Sequence, residues 1–297
     1  MSKKITTVLL ILTFLVGLLA PMKTIDAAKT TAYTIKVNRK KNVVTVYKKD
    51  KKGAYTVPVK AMTCSVGKNN NTPKGTFRIY GKYRWRPLFY GVYGQYAVRF
   101  NGSILFHSVT YTKKSPSALQ WKEYNKLGSA ASHGCVRLTV EDAKWIYQHC
   151  AMNTRVIVYD SSHPGPLGKP DIFKISKKVS SKYKGWDPTD PNQRNPWRSI
   201  KPTLTVNPQV SVEVNSSPED VKKDMKATDF MGKELDIKIA GTYDLMVAGT
   251  YEITAMATDG YGNTVKKKVV LEVKEPEVPE NTEEPEEPEE TDIDLST

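Results

Sequence analysis

Cysteine, histidine, acidic charge and long apolar runs are all in short supply in this chain, and each shortage excludes something. Of 297 residues, three are cysteine and four are histidine. Three is an odd number, so in an oxidising compartment one pair and one free thiol is the natural arrangement and a fully bridged chain is excluded. The histidines, His107, His133, His149 and His163, lack close carboxylate or thiolate partners at helical metal spacing. His133 and Cys135 are both zinc-ligand types, but two ligands do not make a site, and no cofactor or metal is expected. The longest apolar run, Ile5 to Ala20, has 16 residues, just short of a comfortable membrane span. No cysteine lies near the junction after it, so a lipid-modified amino terminus is not expected.

What acid there is lies at one end. The final 23 residues, Glu275 to Thr297, hold eleven acids and no Lys or Arg, so with a total of +14 the charge on residues 1 to 274 is +25. A body this basic suggests an anionic polymer as partner: nucleic acid, an anionic membrane surface, or a wall with acidic polymers. Residues 1–28 decide among these. Lys3 and Lys4 precede the apolar run, and Ala27-Ala28 supply small residues for cleavage, the arrangement of an export signal. Nucleic acid then drops out, and the expected location is extracytoplasmic, secreted or associated with the cell wall. A membrane contact is expected only if the segment stays uncleaved as an anchor.

One short stretch carries chemistry. Ser132-His133-Gly134-Cys135-Val136-Arg137 offers a thiol, an imidazole, a flexible backbone position and a guanidinium. Thiols attack carbonyls as thiolates, and an ordinary pKa of about 8.5 leaves few of them at neutral pH without a base or a cation. His133, Arg137 and the more distant His107 are the candidates. In an extended segment, alternation places His133, Cys135 and Arg137 on one face. Gly134 has no Cβ to keep a substrate from backbone amides that could bind an oxyanion. A small buried cysteine or a satisfied core histidine is the ordinary role for either residue alone; the four together point to a nucleophilic cysteine.

At these residues the chain resembles the L,D-transpeptidases with a YkuD-type catalytic domain, whose signature is an upstream histidine followed by Ser/Thr-His-Gly-Cys and a nearby polar or basic residue. The resemblance runs over roughly residues 31 to 160 and includes Gly67, Asn71 to Phe77 and Leu105-Phe106-His107. It implies that Cys135 is the nucleophile, that His107 is its base and that the Ser108 carbonyl orients that base. It further implies that His133 and the amides of Gly134 and Cys135 support the oxyanion, and that Arg137 holds the loop or a substrate carboxylate, beside Ser132. The 24 residues between His107 and Ser132 exceed the family's usual spacing and are expected to form a lid or loop.

The expected fold is mainly β: a β-rich catalytic domain with one main helix over residues 29–165, a linker over 166–200, an immunoglobulin-like β-sandwich over 201–274, and a disordered acidic tail over 275–297. Tyr33–Asn38 and Val43–Tyr47 alternate around a turn, Tyr55–Ser65 and Thr76–Tyr80 continue as strands, and Asn101-Gly102 marks a hairpin between Gln95–Phe100 and Ser103–Val109. Tyr83 to Tyr96 is rich in aromatics and arginine. It reads either as packing beneath an irregular loop or, through Trp85 and Tyr96, as a wall for a sugar-peptide ligand. Thr139 to Cys150 has the spacing of an amphipathic helix, which carries Cys150 roughly 16 Å from the helix start. A disulfide needs Cα atoms within about 7 Å, so Cys135 should not pair with Cys150. That leaves a Cys64–Cys150 bridge, or both reduced and buried.

The expected function is transfer of an acyl group from a peptidoglycan stem peptide, through a thioester on Cys135, to form wall cross-links. Two alternatives stand beside it: the same centre with water as acceptor, a carboxypeptidase or peptidase, and a non-catalytic wall-binding surface protein. Peptidoglycan and anionic wall polymers are the expected partners of a monomer.

Overall fold

The computed structural model describes residues 31–276; the segment expected to be an export signal and most of the acidic tail lie outside them. The fold is mainly β, and the chain divides into two compact units, Met1–Pro196 and Trp197–Thr297. Among the described residues no helix is long and apolar enough to cross a membrane.

In the first unit, β1 (Tyr33–Asn38), β2 (Val43–Lys49), β3 (Tyr55–Thr63), β4 (Gly75–Arg78) and β9 (Arg155–Tyr159) form one sheet in the order β3-β2-β1-β9-β4. The alternating runs of β1 and β2 pair antiparallel from Tyr33 opposite Lys48 to Asn38 opposite Val43, around a turn in which Asn42 takes a positive φ of 52°. Ile35, Val37, Val44, Val46, Val156 and Val158 from these strands are buried. A second sheet holds β5 (Gly81–Pro87), β6 (Tyr93–Asn101), β7 (Ile104–Ser108) and β8 (Val136–Leu138), in that order. β7 and β8 run parallel, with His107 opposite Arg137.

The aromatic stretch from Tyr83 is therefore not an irregular loop. It is β5 and the start of β6, paired antiparallel from Gly81 opposite Arg99 to Pro87 opposite Tyr93. Between Tyr111 and Ala131 a short helix, α1 (Trp121–Tyr124), turns back toward the site. The main helix, α2 (Val140–His149), follows β8, buries Val140, Ala143 and Ile146, and packs on β6, β7 and β8. Its first turn is held twice: the Asp142 N–H donates to the Thr139 hydroxyl at 3.2 Å, and the Val140 N–H donates to the Asp187 carboxylate at 2.9 Å.

Asp187 comes from the segment expected as a linker. Residues 166–196 lie within the first unit, and Ile175, Asp187, Asp190 and Asn195 are buried there. The Asn195 amide donates to the carbonyls of Asp187 and Asp190 at 2.9 and 2.8 Å. Leu119 N–H donates to the Gly185 carbonyl at 2.8 Å, and a Cβ on Gly185 would stand 2.4 Å from the Ser117 carbonyl oxygen. This strap is fitted to the back of the site.

The cysteines also differ from expectation. Cys64, Cys135 and Cys150 are all free thiols, so the Cys64–Cys150 bridge is not formed. The charges acting on the buried Cys64 thiol are those of Lys169 and of Asp142 in the first turn of α2, whereas Cys150 caps the last turn near Lys82. Burial pushes the Cys64 thiol far up and that of Cys150 up to about 12, so both stay protonated and inert.

The second unit has a four-stranded sheet, β11 (Gln209–Glu213), β15 (Thr264–Lys274), β14 (Gly249–Thr258) and β13 (Ile237–Ala240), and a two-stranded one, β10 (Thr203–Thr205) with β12 (Lys226–Thr228). Leu204, Ala227, Ile253, Ala255, Val269 and Leu271 belong to one core between them. A short helix, Pro218–Lys222, opens with a capping box in which Ser217 and Asp220 satisfy each other's backbone N–H groups.

Candidate active site

A cleft of about 610 Å³ opens in the first unit, and His107, Ser132, His133, Cys135 and Arg137 all line it. The local path explains how. Residues 133–135 form a bend rather than a strand, and Gly134 sits at φ 145°, a region closed to other residues. A Cβ there would come within 2.7 Å of Ile104 Cδ1 and 3.1 Å of the Asn71 carbonyl oxygen. The bend is braced from two sides. The Ser132 hydroxyl donates to the Cys135 carbonyl at 2.5 Å and accepts the Gly134 N–H at 3.0 Å. The Thr72 hydroxyl donates to the Gly134 carbonyl at 2.6 Å and accepts the Gly67 N–H at 2.8 Å. The loop Asn71 to Gly75 thus holds the nucleophile turn, and Ser132 is spent internally rather than offered to a ligand.

The Cys135 thiol is half-buried and lies 3.7 Å from the Ser103 carbonyl, to which it donates. Burial raises its pKa; the Leu105 N–H and the Arg137 charge act against that. His107, only 2% exposed, has its Nδ1 2.5 Å from the Ser108 carbonyl. A carbonyl only accepts, so Nδ1 carries the proton and Nε2 keeps a lone pair. Burial first, then the Arg137 charge, push the imidazole down to about 4, opposed by that hydrogen bond, so the ring is neutral at pH 7.

Ser108 is itself held. Its hydroxyl accepts the Gln95 N–H at 2.9 Å and donates to the Val109 carbonyl at 2.9 Å. The Gln95 amide donates to Asp190 on the strap at 3.2 Å, and its oxygen accepts from Arg84 at 2.8 Å. A continuous line therefore runs from the strap through Gln95 and Ser108 to His107. Gly94 makes room for the ring: a Cβ there would stand 2.8 Å from His107 Nδ1.

Arg137 is 9% exposed and donates from Nη1 to Glu123 of α1 at 2.8 Å. Glu123 also pairs with Lys126, and these two basic partners hold its carboxyl below the usual range against the opposing effect of burial. The segment between His107 and Ser132, expected as a lid or loop, thus supplies the countercharge of the arginine. Sequence reading passed over Glu123, whose one signal was its place in that longer insertion, and passed over the strap because Asp187 and Asp190 sit in a Pro-interrupted stretch without periodicity.

Trp85 and Tyr96 do not line the cleft. Trp85 meets the buried Tyr111 edge-on at 5.3 Å between ring centres. Tyr96 packs on Tyr147 of α2 at 5.5 Å, with the Arg84 guanidinium 4.0 Å from its ring centre. The aromatics of the hairpin that do reach the cleft are Phe89 and Tyr90, 70% and 82% exposed, and Tyr90 stands 5.2 Å from the exposed His133 ring. Cleft cations outnumber acids: Lys68, Arg86, Arg99, Lys126 and Arg137 face Glu123 alone. Among the described residues no group of His, Cys, Asp or Glu is placed to hold a metal ion.

Fold and cleft together define a β-rich domain that presents a thiol beside a buried, neutral imidazole. Residues 32–158 match the model of the L,D-transpeptidase catalytic domain, YkuD. Over 96 residues the chain is 41% identical to a protein of Bacillus subtilis (strain 168) described as "Putative L,D-transpeptidase YciB", a match covering 31% of this chain and 48% of that protein. The chain thus spans about half the length of that relative. Among solved structures it is similar to an L,D-transpeptidase from Mycobacterium smegmatis, at 22% identity and a TM-score of 0.35 over 43% of this chain and 58% of the other. It is also similar to one from Mycobacterium tuberculosis H37Rv, at 25% identity and a TM-score of 0.33 over 43% and 58%.

Proposed function

We propose that this protein is an exported L,D-transpeptidase that cross-links peptidoglycan through a thioester on Cys135. The observation that supports it most is the cleft that Cys135 shares with His107, whose Nδ1 is fixed and whose Nε2 is free to take a proton. In the resting protein both groups are neutral. The thiol proton passes to His107 Nε2 as sulfur attacks the carbonyl after the third residue of a stem peptide. The carbon–sulfur bond forms, the bond to the terminal D-residue breaks, and its nitrogen leaves with the proton from His107. The amine of a second stem then gives its proton to His107, attacks the thioester and releases Cys135.

The oxyanion role expected of the Gly134 amide is weakened by its bond to Ser132, so the Cys135 amide and His133 are the donors proposed for it. Arg137, held by Glu123, acts through its charge on the nucleophile and the base. Residues 1–28 are proposed as the export signal, and the second unit as an immunoglobulin-like spacer or wall-binding module, supported by its two sheets around one aliphatic core.

Incubating the full chain with disaccharide-tetrapeptides and reading products by mass spectrometry tests the reading. Cross-linked dimers and a transient acyl adduct on Cys135 are expected, both absent in Cys135→Ala. Trimmed monomers alone would make water the acceptor, and unchanged peptide would refute the enzyme.

A further inference from the structure

Two guanidiniums in the cleft wall lack an anion. Arg86 on β5 and Arg99 on β6 line the cleft with Cys135, and each stands over the ring of Tyr83, 4.8 and 5.6 Å from its centre. One aromatic ring thus gathers both cations. Among the described residues no carboxylate comes within ion-pairing distance of either, and Arg99 Nε is buried without a hydrogen-bond partner. Buried donors are ordinarily paired, and adjacent like charges repel, so the pair is incomplete as it stands. The basic groups near the insertion are not in that position, since Arg137 and Lys126 share Glu123.

The place of Arg99 says what completes it. Arg99 lies directly across the β6–β7 ladder from Leu105, which lines the cleft with Cys135 and precedes Phe106, the partner of Val136 on β8. Opposed residues on antiparallel strands hold their Cβ atoms about 4.5–5.5 Å apart, so the guanidinium is anchored one residue pair from the nucleophile. We infer that Arg86 and Arg99 form a subsite for a carboxylate of the donor peptide, next to the bond that Cys135 attacks. The planar fork of arginine accepts a carboxylate through two parallel N–H···O bonds, which a lysine cannot reproduce. The inference rests on the reading of Cys135 as a nucleophile toward wall peptides and gives that site a specificity. On a stem peptide the candidates are the terminal carboxylate of the leaving residue and, where the residue that donates the acyl group carries one, its side-chain carboxylate.

The test separates binding from turnover. Tetrapeptides carrying both carboxylates, the terminal one amidated, or the side-chain one amidated are titrated calorimetrically into the full chain bearing Cys135→Ala, alone and with Arg99→Gln, Arg99→Lys or Arg86→Gln. Amidation of one of the two positions is expected to weaken binding at least about 10-fold, as loss of a charge-assisted bidentate contact should. Arg99→Gln should cause a similar loss with the free acid and little further loss with that amide, the sign of a direct pair, and Arg99→Lys should restore only part. Equal binding of the acid and both amides, or an equal loss from Arg99→Gln with all three, would overturn the subsite. The amide series on the otherwise unaltered cleft decides the question even if Arg99→Gln does not fold. Acyl-enzyme formation by the wild type is scored in parallel: selective binding without acylation would refute the transfer reaction and leave the subsite, and acylation indifferent to either carboxylate would do the reverse.

Discussion

The first unit buries Gln95, His107, Ser108, Arg137, Asp187 and Asp190 along with its apolar core, whereas among the described residues the second buries Trp197, Met225 and a set of valines, leucines, isoleucines and alanines with one charged residue, Asp259. Asp259 merely closes a turn, accepting from the N–H groups of Tyr261 and Asn263 at 2.9 Å each. Buried polar groups are costly unless partnered, and in the first unit the partners form a connected set: strap to Gln95, Gln95 to Ser108, Ser108 to His107, and Glu123 to Arg137. Satisfying the interior and aiming the reactive groups are therefore the same act there. In the second unit stability is a matter of apolar packing and is independent of any chemistry.

The sharpest way to break this contrast is to cut the chain. Ending it at Pro170 removes Asp187, Asp190 and Asn195 and takes one partner each from Gln95 and the start of α2. Loss of a cooperative melt and of Cys135 acylation is expected, whereas a chain ending at Pro196 keeps both. Equal melting of the two truncations would show the strap to be dispensable.

Leu271→Ala opens a void in the second core and should cost about 2–5 kcal/mol. The melting transition of the second unit falls while the rate on soluble peptides stays as it was; a slowed rate would mean that the units are not independent. Gly94→Ala works the other way. Its Cβ would stand 2.8 Å from His107 Nδ1, so the ring must move, and kcat/KM should fall about 100-fold, the scale on which misplacement of about 1 Å acts, with little change in melting. A wild-type rate would mean that the imidazole has room to spare.

The smallest net effect is on pH. His107 titrates at about 4 in the folded protein against an ordinary 6.5, so between those values the unfolded chain binds more protons. The stability this group contributes is present above pH 6.5 and is lost as pH falls toward 4, by at most about 3 kcal/mol. Asp187, raised by burial to about 7 from 3.8, acts oppositely, its contribution being lost as pH rises through 7. Urea denaturation of the chain ended at Pro196, from pH 4.5 to 7.5, should show a steeper acid loss than the same chain with His107→Gln; parallel curves would mean that His107 is not held neutral by burial.

Much of the first unit was legible because its signals are local. The β1–β2 hairpin, the turn at Asn101-Gly102 and the helix at Val140–His149 each follow from alternation, a turn dipeptide or helical spacing. β5 was hidden because Lys82 to Pro87 interleaves cations with aromatics and gives no clean alternation. β8 was hidden because it has three residues and is a strand only through distant partners, β7 on one side and Ser65 on the other.

By itself, the sequence determined which residues have reactive chemistry, since a thiol, two imidazoles and a guanidinium are properties of residue type, and it determined the mainly β fold through short-range pattern. Only the tertiary structure decided the rest. It set Glu123 against Arg137 across 14 positions and brought Asp190 to Gln95 across 95, turned Trp85 and Tyr96 away from the cleft, and left Cys64 and Cys150 as buried free thiols. The reason is physical: burial and partnership depend on which distant segments pack together, and no local pattern encodes the neighbour that a buried charge will find.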